Sequence, residues 1–281
     1  MPNDVSGSII LVGAGGTAMP AQTSATLTTE PELVETIVKN QNAPLKRSGD
    51  LQWQLSADGK LRDGAGKAGL SNGQVTMSVD VDLNQDGTET TEIVPDLQSI
   101  TLSLDQGLEQ VPPGIDQPTG WRFFSPQELD WTMEMSGHYN DPADSDVYDA
   151  LYQKVRNGEV IVGTLDVFGL TFDGDLAVDS IEREADTDGP ASVSFSYGGS
   201  GLLTKTGTSE SPISELLTSY FDQQTVSAFF RPMENGTPIT GTTSWEGSAW
   251  NSTTELTLER DAYPELSFEL QGDGTLDPIT Q

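Results

Sequence analysis

Carboxylates are the only abundant residues in this chain that could carry out acid–base or metal chemistry. The 281 residues include 44 Asp plus Glu, one histidine and no cysteine. Because His138 stands alone, a metal motif with two histidines is excluded, and the lack of cysteine excludes disulfides, thiolate nucleophiles and zinc ribbons. No pair of acids stands out as the general acid and base of a glycosidase. We therefore predict a protein that is not an enzyme and has no cofactor.

One short segment resembles the start of a calcium-binding loop. Asp82, Asn84 and Asp86 carry oxygen atoms at alternate positions, and Gly87 follows them. Carboxylate and amide oxygens of this kind bind hard cations. The twelfth position of the loop is Ile93 rather than Glu, however, and the segment lies between predicted strands. Asp82, Asn84 and Asp86 are thus the candidate metal ligands, and an ordinary Asp-Gly hairpin turn is the favoured alternative.

Two further motifs imitate functional sites. Gly13–Ala18 (GAGGTA) follows a short apolar run as a dinucleotide-binding loop would, but Pro20 and the β-like stretch after it remove the helix that would meet the phosphate. A hairpin turn or loop is favoured there. Asp144, Asp146 and Asp149 precede or enter a predicted helix, where acids complement the helix dipole, so capping is favoured over catalysis.

The net charge of −31, from 13 Lys plus Arg against 44 Asp plus Glu, limits the partners of the chain. It repels phosphates, and no basic patch with interleaved aromatics is present, so sequence-specific nucleic-acid binding is excluded. Repulsion among the acids would loosen a compact fold in dilute buffer, whereas at molar salt the Debye length falls to about 3 Å. The composition therefore favours a halophilic protein over an ordinary acidic one. No apolar run approaches the ~18–20 residues of a membrane-spanning helix, so no membrane partner is expected.

Alternation of apolar and polar residues predicts mainly β structure, since such strands bury one face in a core. Helical spacing occurs in Asp146–Val155, which ends before Asn157-Gly158, and in Ser211–Phe221, which begins with a Ser-Pro cap. The predicted strands include Thr23–Thr29, Leu51–Leu55, Val75–Leu83, Ser99–Leu104, Leu129–Met135, Val193–Tyr197 and Leu266–Leu270.

Internal repeats appear first in the N-terminal half of the chain. Ser24–Thr28 aligns with Ser99–Ser103 at an offset of 75 residues, and Leu51–Leu55 aligns with Leu129–Met133 at an offset of 78. Both members of the second pair carry a tryptophan. These segments are two copies of a first half-unit.

A second half-unit also occurs twice. The two predicted helices align at an offset of 66, with Leu151 on Leu217. Phe172–Gly174 aligns with Trp245–Gly247 at an offset of 73, and the same offset aligns two strands that end in Gly-x-Gly-x-Leu. The order of half-units is first, first, second, second, so one complete unit must interrupt the other.

This order predicts an inserted domain at 74–207 and a discontinuous outer domain formed by 1–73 plus 208–281. The Gly-rich stretch 62–73 is the expected crossing point. The predicted fold class is mainly β with short helices (α+β). It consists of two homologous β-sandwich or barrel units, each flanked by one helix.

The plan of the unit resembles the major tail tube protein of long-tailed, siphovirus-type viruses. In that plan a hairpin leads to a Trp-bearing strand, then to a short helix, a strand, a glycine turn and a strand ending in Gly-x-Gly-x-Leu. The resemblance rests on Gln22–Glu30, Leu51–Ser56, Asp149–Leu151, Phe172–Gly174 and Phe195–Gly201.

The resemblance implies a structural protein of the virion tail, assembled in the host cytoplasm into stacked rings that form a hollow tube. Members of that family carry one unit per chain and form hexameric rings, whereas two units here predict a trimeric ring with pseudo-six-fold symmetry, stacked helically. Six chains, with the second unit outside, is the competing arrangement. The expected partners are other copies, other tail proteins at the tube ends and viral double-stranded DNA passing without sequence-specific binding. With the acidity, this implies a halophilic virus of an archaeon.

An acidic secreted or surface β-sandwich, binding carbohydrate with help from calcium, is the alternative from another functional class. Rings or hollow tubes in molar salt would favour the first interpretation, and a discrete monomer the second. For a tube, the polar residues Thr76, Ser78, Asp80 and Asp82 are candidates for the lumen, although an outward solvent face is equally allowed.

Overall fold

The structure is a computed structural model that describes residues 8–14, 17–18, 22–36, 45–60, 70, 75–84, 86–112, 120–138, 142–167, 169–184, 191–207, 213–234 and 237–279. Within these ranges the fold is mainly antiparallel β sheet with two short helices, as the alternation predicts. The strands are β1 Ser8–Ala14, β2 Thr17–Ala18, β3 Gln22–Thr36, β4 Leu45–Lys60, β5 Val75–Val81, β6 Thr90–Ile93, β7 Leu97–Val111, β8 Phe123–His138, β9 Ile161–Val167, β10 Leu170–Glu184, β11 Ser192–Gly199, β12 Thr204–Gly207, β13 Val226–Glu234, β14 Thr237–Pro238, β15 Ser244–Glu259 and β16 Glu265–Ile279. The helices are α1 Pro142–Asn157 and α2 Ile213–Phe221.

Two series of strands share one order of neighbours. In the inner series the order is β7-β8-β11-β10-β9-β5-β6, and in the outer series it is β3-β4-β16-β15-β13-β1-β2. The strand β12 pairs with the start of β10, as the end of β16 pairs with the start of β15. The inner series comes from residues 75–207 and the outer series from 8–60 and 226–279. The predicted crossing stretch lies almost wholly outside the described residues.

The two series also share strand register. Ala25 pairs with Ala57 in the hairpin β3-β4, and Ile100 pairs with Met135 in β7-β8, which reproduces the offsets of 75 and 78. The pairs β10-β11 and β15-β16 correspond at an offset of 73. Each has a bulge at the same place, between residues 178 and 180 and between 251 and 253.

One predicted offset is wrong by a single residue. Gly163 of β9 pairs with Gly174, and Ala228 of β13 pairs with Gly247. Because the glycines at 174 and 247 correspond at an offset of 73, β9 and β13 correspond at an offset of 65 rather than 66.

The helices agree with this correction. Each is followed by a residue with positive φ, Gly158 at 70° and Gln223 at 50°, which again gives an offset of 65. Leu151 therefore corresponds to Leu216 and not to the adjacent Leu217.

No helix among the described residues is long and apolar enough to cross a membrane.

The apolar faces of both series and the inner faces of the helices form the core. The ring of Tyr148 in α1 stacks on Phe195 with centroids 6.2 Å apart, and its hydroxyl donates to the carbonyl of Pro95 at 2.5 Å. Trp53 and Trp131 are nearly fully buried, one in each series. Each helix thus covers the side of its sheet that faces the core, called the inward side below, and leaves the opposite side to solvent.

Candidate functional site

A polar face extends over eight neighbouring strands in the order β10-β11-β8-β7-β15-β16-β4-β3. Residues that pair directly in antiparallel strands lie on the same face of a sheet. One row of such pairs contains Ser180, Ser196, Glu134, Thr101, Thr257, Glu265 and Lys60. A second row contains Thr132, Ser103, Glu255, Ser267, Asp58 and Ser24. We call this surface the polar face.

The polar face is hydroxyl-rich and acidic. Its hydroxyls bond to one another and to acids, for example Ser99 to Ser136 with the two oxygens 2.7 Å apart. Among the residues of the two rows, the basic side chain is Lys60, which pairs with Glu265 at 3.0 Å, and His138 lies at the end of β8. The surface therefore offers few cations to a negatively charged polymer.

A shallow groove crosses the part of the polar face that the inner series forms. Thr101 of β7, Glu134 of β8, Ser194 of β11 and Glu182 of β10 line it. The groove therefore spans four neighbouring strands and is lined by hydroxyls and carboxylates.

The two series meet edge to edge within one continuous sheet. Residues 253–259 of β15 pair antiparallel with residues 105–99 of β7. On the inward side, Leu256 lies opposite Leu102 and Leu258 opposite Ile100, and all four are buried. We call this pairing the internal junction. It joins the polar faces of the two series without a break.

Helix α2 secures the internal junction. The hydroxyl of Tyr220 lies 3.0 Å from the carbonyl of Asp105 in β7 and 2.8 Å from that of Asp130 in β8. Burial raises the pKa of Tyr220, and the Asp105 and Asp130 carboxylates raise it further. The hydroxyl therefore stays protonated and donates to the inner series. The next ring, Phe221, lies 6.4 Å from Phe172 of β10.

The segment before β8 makes a second contact between the series. The amide of Leu51 donates to the carbonyl of Gly120 at 2.8 Å, and the amide of Arg122 donates to the carbonyl of Leu51 at 2.9 Å. The amide of Gly274 in turn donates to the carbonyl of Arg122 at 2.9 Å. Backbone bonds thus hold the inner series against β4 and β16.

The candidate metal ligands lie together in one exposed turn between β5 and β6. The carboxylate of Asp82 accepts from the amides of Asp86 at 3.2 Å and Gly87 at 2.7 Å, and Asp86 accepts from the amide of Thr88 at 2.9 Å. Bonds of this kind are those of an Asx turn. Over the part of the chain that the structure describes, no group of three or more His, Cys, Asp or Glu residues is arranged to hold a metal ion.

The other motifs take structural positions. The glycine motif enters the hairpin β1-β2, in which Ala14 pairs with Thr17. Asp144 and Asp146 lie near the start of α1, and Asp149 accepts from Arg183 of β10 at 2.9 Å. The strand β5 holds Thr76, Ser78 and Asp80 of the residues considered for a lumen, and Asp82 follows it. This strand pairs with β9 and β6 and lies outside the eight strands of the polar face.

The internal junction is the feature that the sequence did not reveal. A signal was present, because β7 has Ile100 and Leu104 where β3 has the smaller residues Ala25 and Thr29. A strand with neighbours on both edges buries its inward side chains more deeply than a strand at an open edge. That difference in size distinguishes the joined strand from the free one.

One protein family and several solved structures are similar to part of this chain. Residues 74–205 match the model of the family described as phage tail tube protein. No curated protein matches the chain. The matched residues take in β5 to β11, helix α1 and the first two residues of β12.

Solved structures give similarities over about half of the chain. A chain in the virion of a native gene transfer agent particle is 18% identical, and the match covers 47% of this chain and 95% of that one, with a TM-score of 0.38. A chain in the tail of an empty gene transfer agent particle is 21% identical, and the match covers 47% of this chain and 96% of that one, with a TM-score of 0.37. A chain of the SPP1 tail tube is 18% identical, and the match covers 49% of this chain and 78% of that one, with a TM-score of 0.34.

Proposed function

We propose that the chain is a structural subunit of a viral tail tube and that its polar face lines the lumen through which viral DNA passes. The observation that carries this proposal is the continuity of the polar face over both series, including the internal junction. The family match of residues 74–205 supports it. The subunit would act as a passive conduit and carry out no chemical step.

The acidity of the polar face fits a conduit. Duplex DNA is densely charged, and basic surfaces hold it by releasing its counterions. A wall of hydroxyls and carboxylates, with Lys60 already paired to Glu265, has no such means of retention. DNA would slide along this wall rather than bind to it.

The chain contributes two tube units, an outer one from 1–73 plus 208–281 and an inserted one from 74–207. Their shared strand order, shared registers and matching bulges support this duplication. Because the two units already join edge to edge in one chain, three chains would make a ring of six units, stacked helically into a tube. Other tail proteins would close the tube at its ends, with assembly in the host cytoplasm.

The charge of −31 supports a halophilic virus with an archaeal host. High salt screens repulsion between neighbouring acids. We expect the melting temperature to rise from dilute to molar KCl, and a melting temperature that does not rise would remove this part of the proposal.

Electron microscopy of the purified chain in molar KCl tests the proposed function. The expected result is hollow tubes or rings, and class averages with three chains per ring would support the trimer. Six chains per ring would contradict the trimer but keep the tube. A protein that remains a discrete monomer would contradict the tube itself.

Lysines placed on the polar face test its position at the lumen. Thr101→Lys combined with Thr257→Lys should make tubes retain duplex DNA in the lowest salt at which tubes persist, whereas the unmodified tubes should not. The matched control is Val162→Lys combined with Leu202→Lys, at side chains that are exposed away from the polar face. Equal DNA retention by both variants would contradict a lumen built from the polar face.

A further inference from the structure

We propose that β3 of one copy pairs antiparallel with residues 180–184 of β10 in the next copy, in the register of the internal junction. This proposal rests on the proposed function and identifies the contact that closes the ring. The partner is a second copy of this chain. The contact is called the seam below.

Both strands of the seam have an open edge. The strand β3 pairs with β4 along one edge, and no described strand pairs with the other. Residues 178–184 of β10 pair with β11, while β9 pairs only with residues 170–176. In the outer series the matching part of β15 is occupied on both edges, by β16 and by β7. The open edges of β3 and β10 therefore match the edges of β7 and β15 that pair with each other at the internal junction.

Burial on the β3 side is lower than burial at the matching positions of β7. Leu102 and Leu104 of β7 are 0% and 1% exposed within the internal junction. Their counterparts at an offset of 75 are Leu27, which is only partly buried, and Thr29, which is exposed. The same position in the fold is thus covered in one strand and open in the other.

Burial on the β10 side shows the same difference. Thr254 and Leu256 of β15 are 2% and 7% exposed. Their counterparts at an offset of 73 are Ile181, which is partly buried, and Arg183, which is exposed. Ile181 is a partly buried residue that packs against the core. A strand laid against this edge would cover the other side.

The register of the seam follows from that of the internal junction. Thr253 pairs with Asp105 there, and Glu255 pairs with Ser103. Subtracting the offsets of 73 and 75 gives the pairs of the seam. They are Ser180 with Glu30, Ile181 with Thr29, Glu182 with Thr28, Arg183 with Leu27 and Glu184 with Thr26.

The alternation of faces is preserved in this register. Glu182 and Thr28 belong to the polar face, so the polar face would continue from one copy to the next. Ile181 would cover the inward side together with Leu27 of the other strand. A shift by one residue would place Ile181 among hydroxyls and acids, which would expose apolar surface.

The same correspondence between the internal junction and the seam predicts a contact made by a helix. Phe221 is the last residue of α2, and its ring lies 6.4 Å from the ring of Phe172 in β10. The corresponding residues are Arg156 in α1, at an offset of 65, and Trp245, at an offset of 73. A guanidinium over an indole ring is a favourable cation–π pair. The seam therefore brings Arg156 of one copy over Trp245 of the next.

Disulfide cross-linking tests the register, because the chain has no cysteine of its own. Thr28→Cys combined with Glu182→Cys places two thiols directly opposite each other across the seam, with β-carbons about 4.5–5.5 Å apart. Oxidation of assembled protein should link separate chains. For a ring of three, the ladder on a non-reducing gel should end at three chains.

Two control variants use the same chemistry. Ser103→Cys combined with Glu255→Cys is the matching pair of the internal junction, and it should lose both free thiols while the chain stays a monomer on the gel. Glu30→Cys combined with Glu184→Cys lies four residues out of register and should not form links between chains.

The outcomes separate the seam from the proposed function. Tubes that form without disulfides between positions 28 and 182, while the internal pair oxidises, would overturn the seam and leave the tube standing. Links between chains without rings or tubes would support the seam and overturn the tube. Equal linking by the out-of-register pair would overturn the register. Neither assembly nor links would overturn both.

Discussion

The two buried tryptophans occupy matching positions in the two series but have different surroundings. The indole of Trp53 donates to the carbonyl of Gly274 at 3.1 Å, and the indole of Trp131 donates to the carbonyl of Gly201 at 3.1 Å. Each ring lies against glycines of the neighbouring strands. A β-carbon at Gly272 would lie 2.1 Å from Trp53, and one at Gly199 would lie 2.2 Å from Trp131. The tryptophan and its glycines therefore form one packing unit that occurs twice.

The turns that accept these bonds are different. A β-carbon at Gly274 would lie 2.7 Å from the ring of Phe123, which comes from the inner series, whereas one at Gly201 would have nothing within 4 Å. The residue that corresponds to Phe123 at an offset of 78 is Leu45. The turn at Gly274 is thus covered by Phe123 of the same chain, whereas the turn at Gly201 is open and could be covered by a neighbouring chain. The two series therefore differ at the turn where the seam would place a second chain.

The largest expected effect comes from removing either tryptophan. Trp53→Ala and Trp131→Ala should each lower the free energy of unfolding by ~3–5 kcal/mol, because each leaves a cavity between glycines that cannot fill it. Denaturant unfolding of the monomer measures this loss. Leu202→Ala, at a side chain 74% exposed beside Gly201, is the control and should stay within ~0.5 kcal/mol. A tryptophan variant no less stable than this control would contradict the matching roles.

Alanine at the two turn glycines should separate the covered turn from the open one. Gly274 and Gly201 have φ angles of 87° and 92°, so alanine strains both turns by ~1–2 kcal/mol. Gly274→Ala should lose ~1–3 kcal/mol more, because its methyl meets Phe123. Thermal unfolding of the monomer compares them, and equal losses would break the distinction. In assembled protein, we expect Gly201→Ala to reduce the yield of rings.

The hydroxyl of Tyr220 should have a smaller effect. Tyr220→Phe removes the donor that faces Asp105 and Asp130 and should cost ~1 kcal/mol, the usual value of one hydrogen bond. Tyr152→Phe, at a side chain 40% exposed, should change the free energy of unfolding by less than ~0.5 kcal/mol. If Tyr220→Phe is as stable as the wild type in denaturant unfolding, the hydroxyl does not secure the internal junction.

The smallest effect is expected at the acidic turn. Adding calcium or a chelator should leave the melting temperature unchanged, because Asp82 and Asp86 already accept bonds from the backbone of the turn. Asp82→Ala should destabilise slightly and equally with and without calcium. A rise in melting temperature that needs calcium and is lost in Asp82→Ala would establish a metal site instead.

Local features of the fold could be predicted from the sequence because they depend on near neighbours. Alternation predicted a strand over Val75–Leu83, where the structure has β5 over Val75–Val81, and a Ser-Pro cap predicted α2. The repeat offsets of 75, 78 and 73 agree with the registers, because glycines and tryptophans recur at distinctive spacings. The offset of 66 was wrong since adjacent leucines at 216 and 217 offer two alignments. The strand pairs Gly163 with Gly174 and Ala228 with Gly247, together with the positive φ angles after the two helices, distinguish them.

The internal junction depended on the tertiary structure. The residues that meet there, such as Leu102 and Leu256, are distant in the chain, and β-strand pairing has no sequence period that names its partner. The sequence determined which side of each strand is apolar, because that depends on residue type alone. The tertiary structure decided which edges are occupied, because an edge is satisfied only by backbone groups that folding brings beside it.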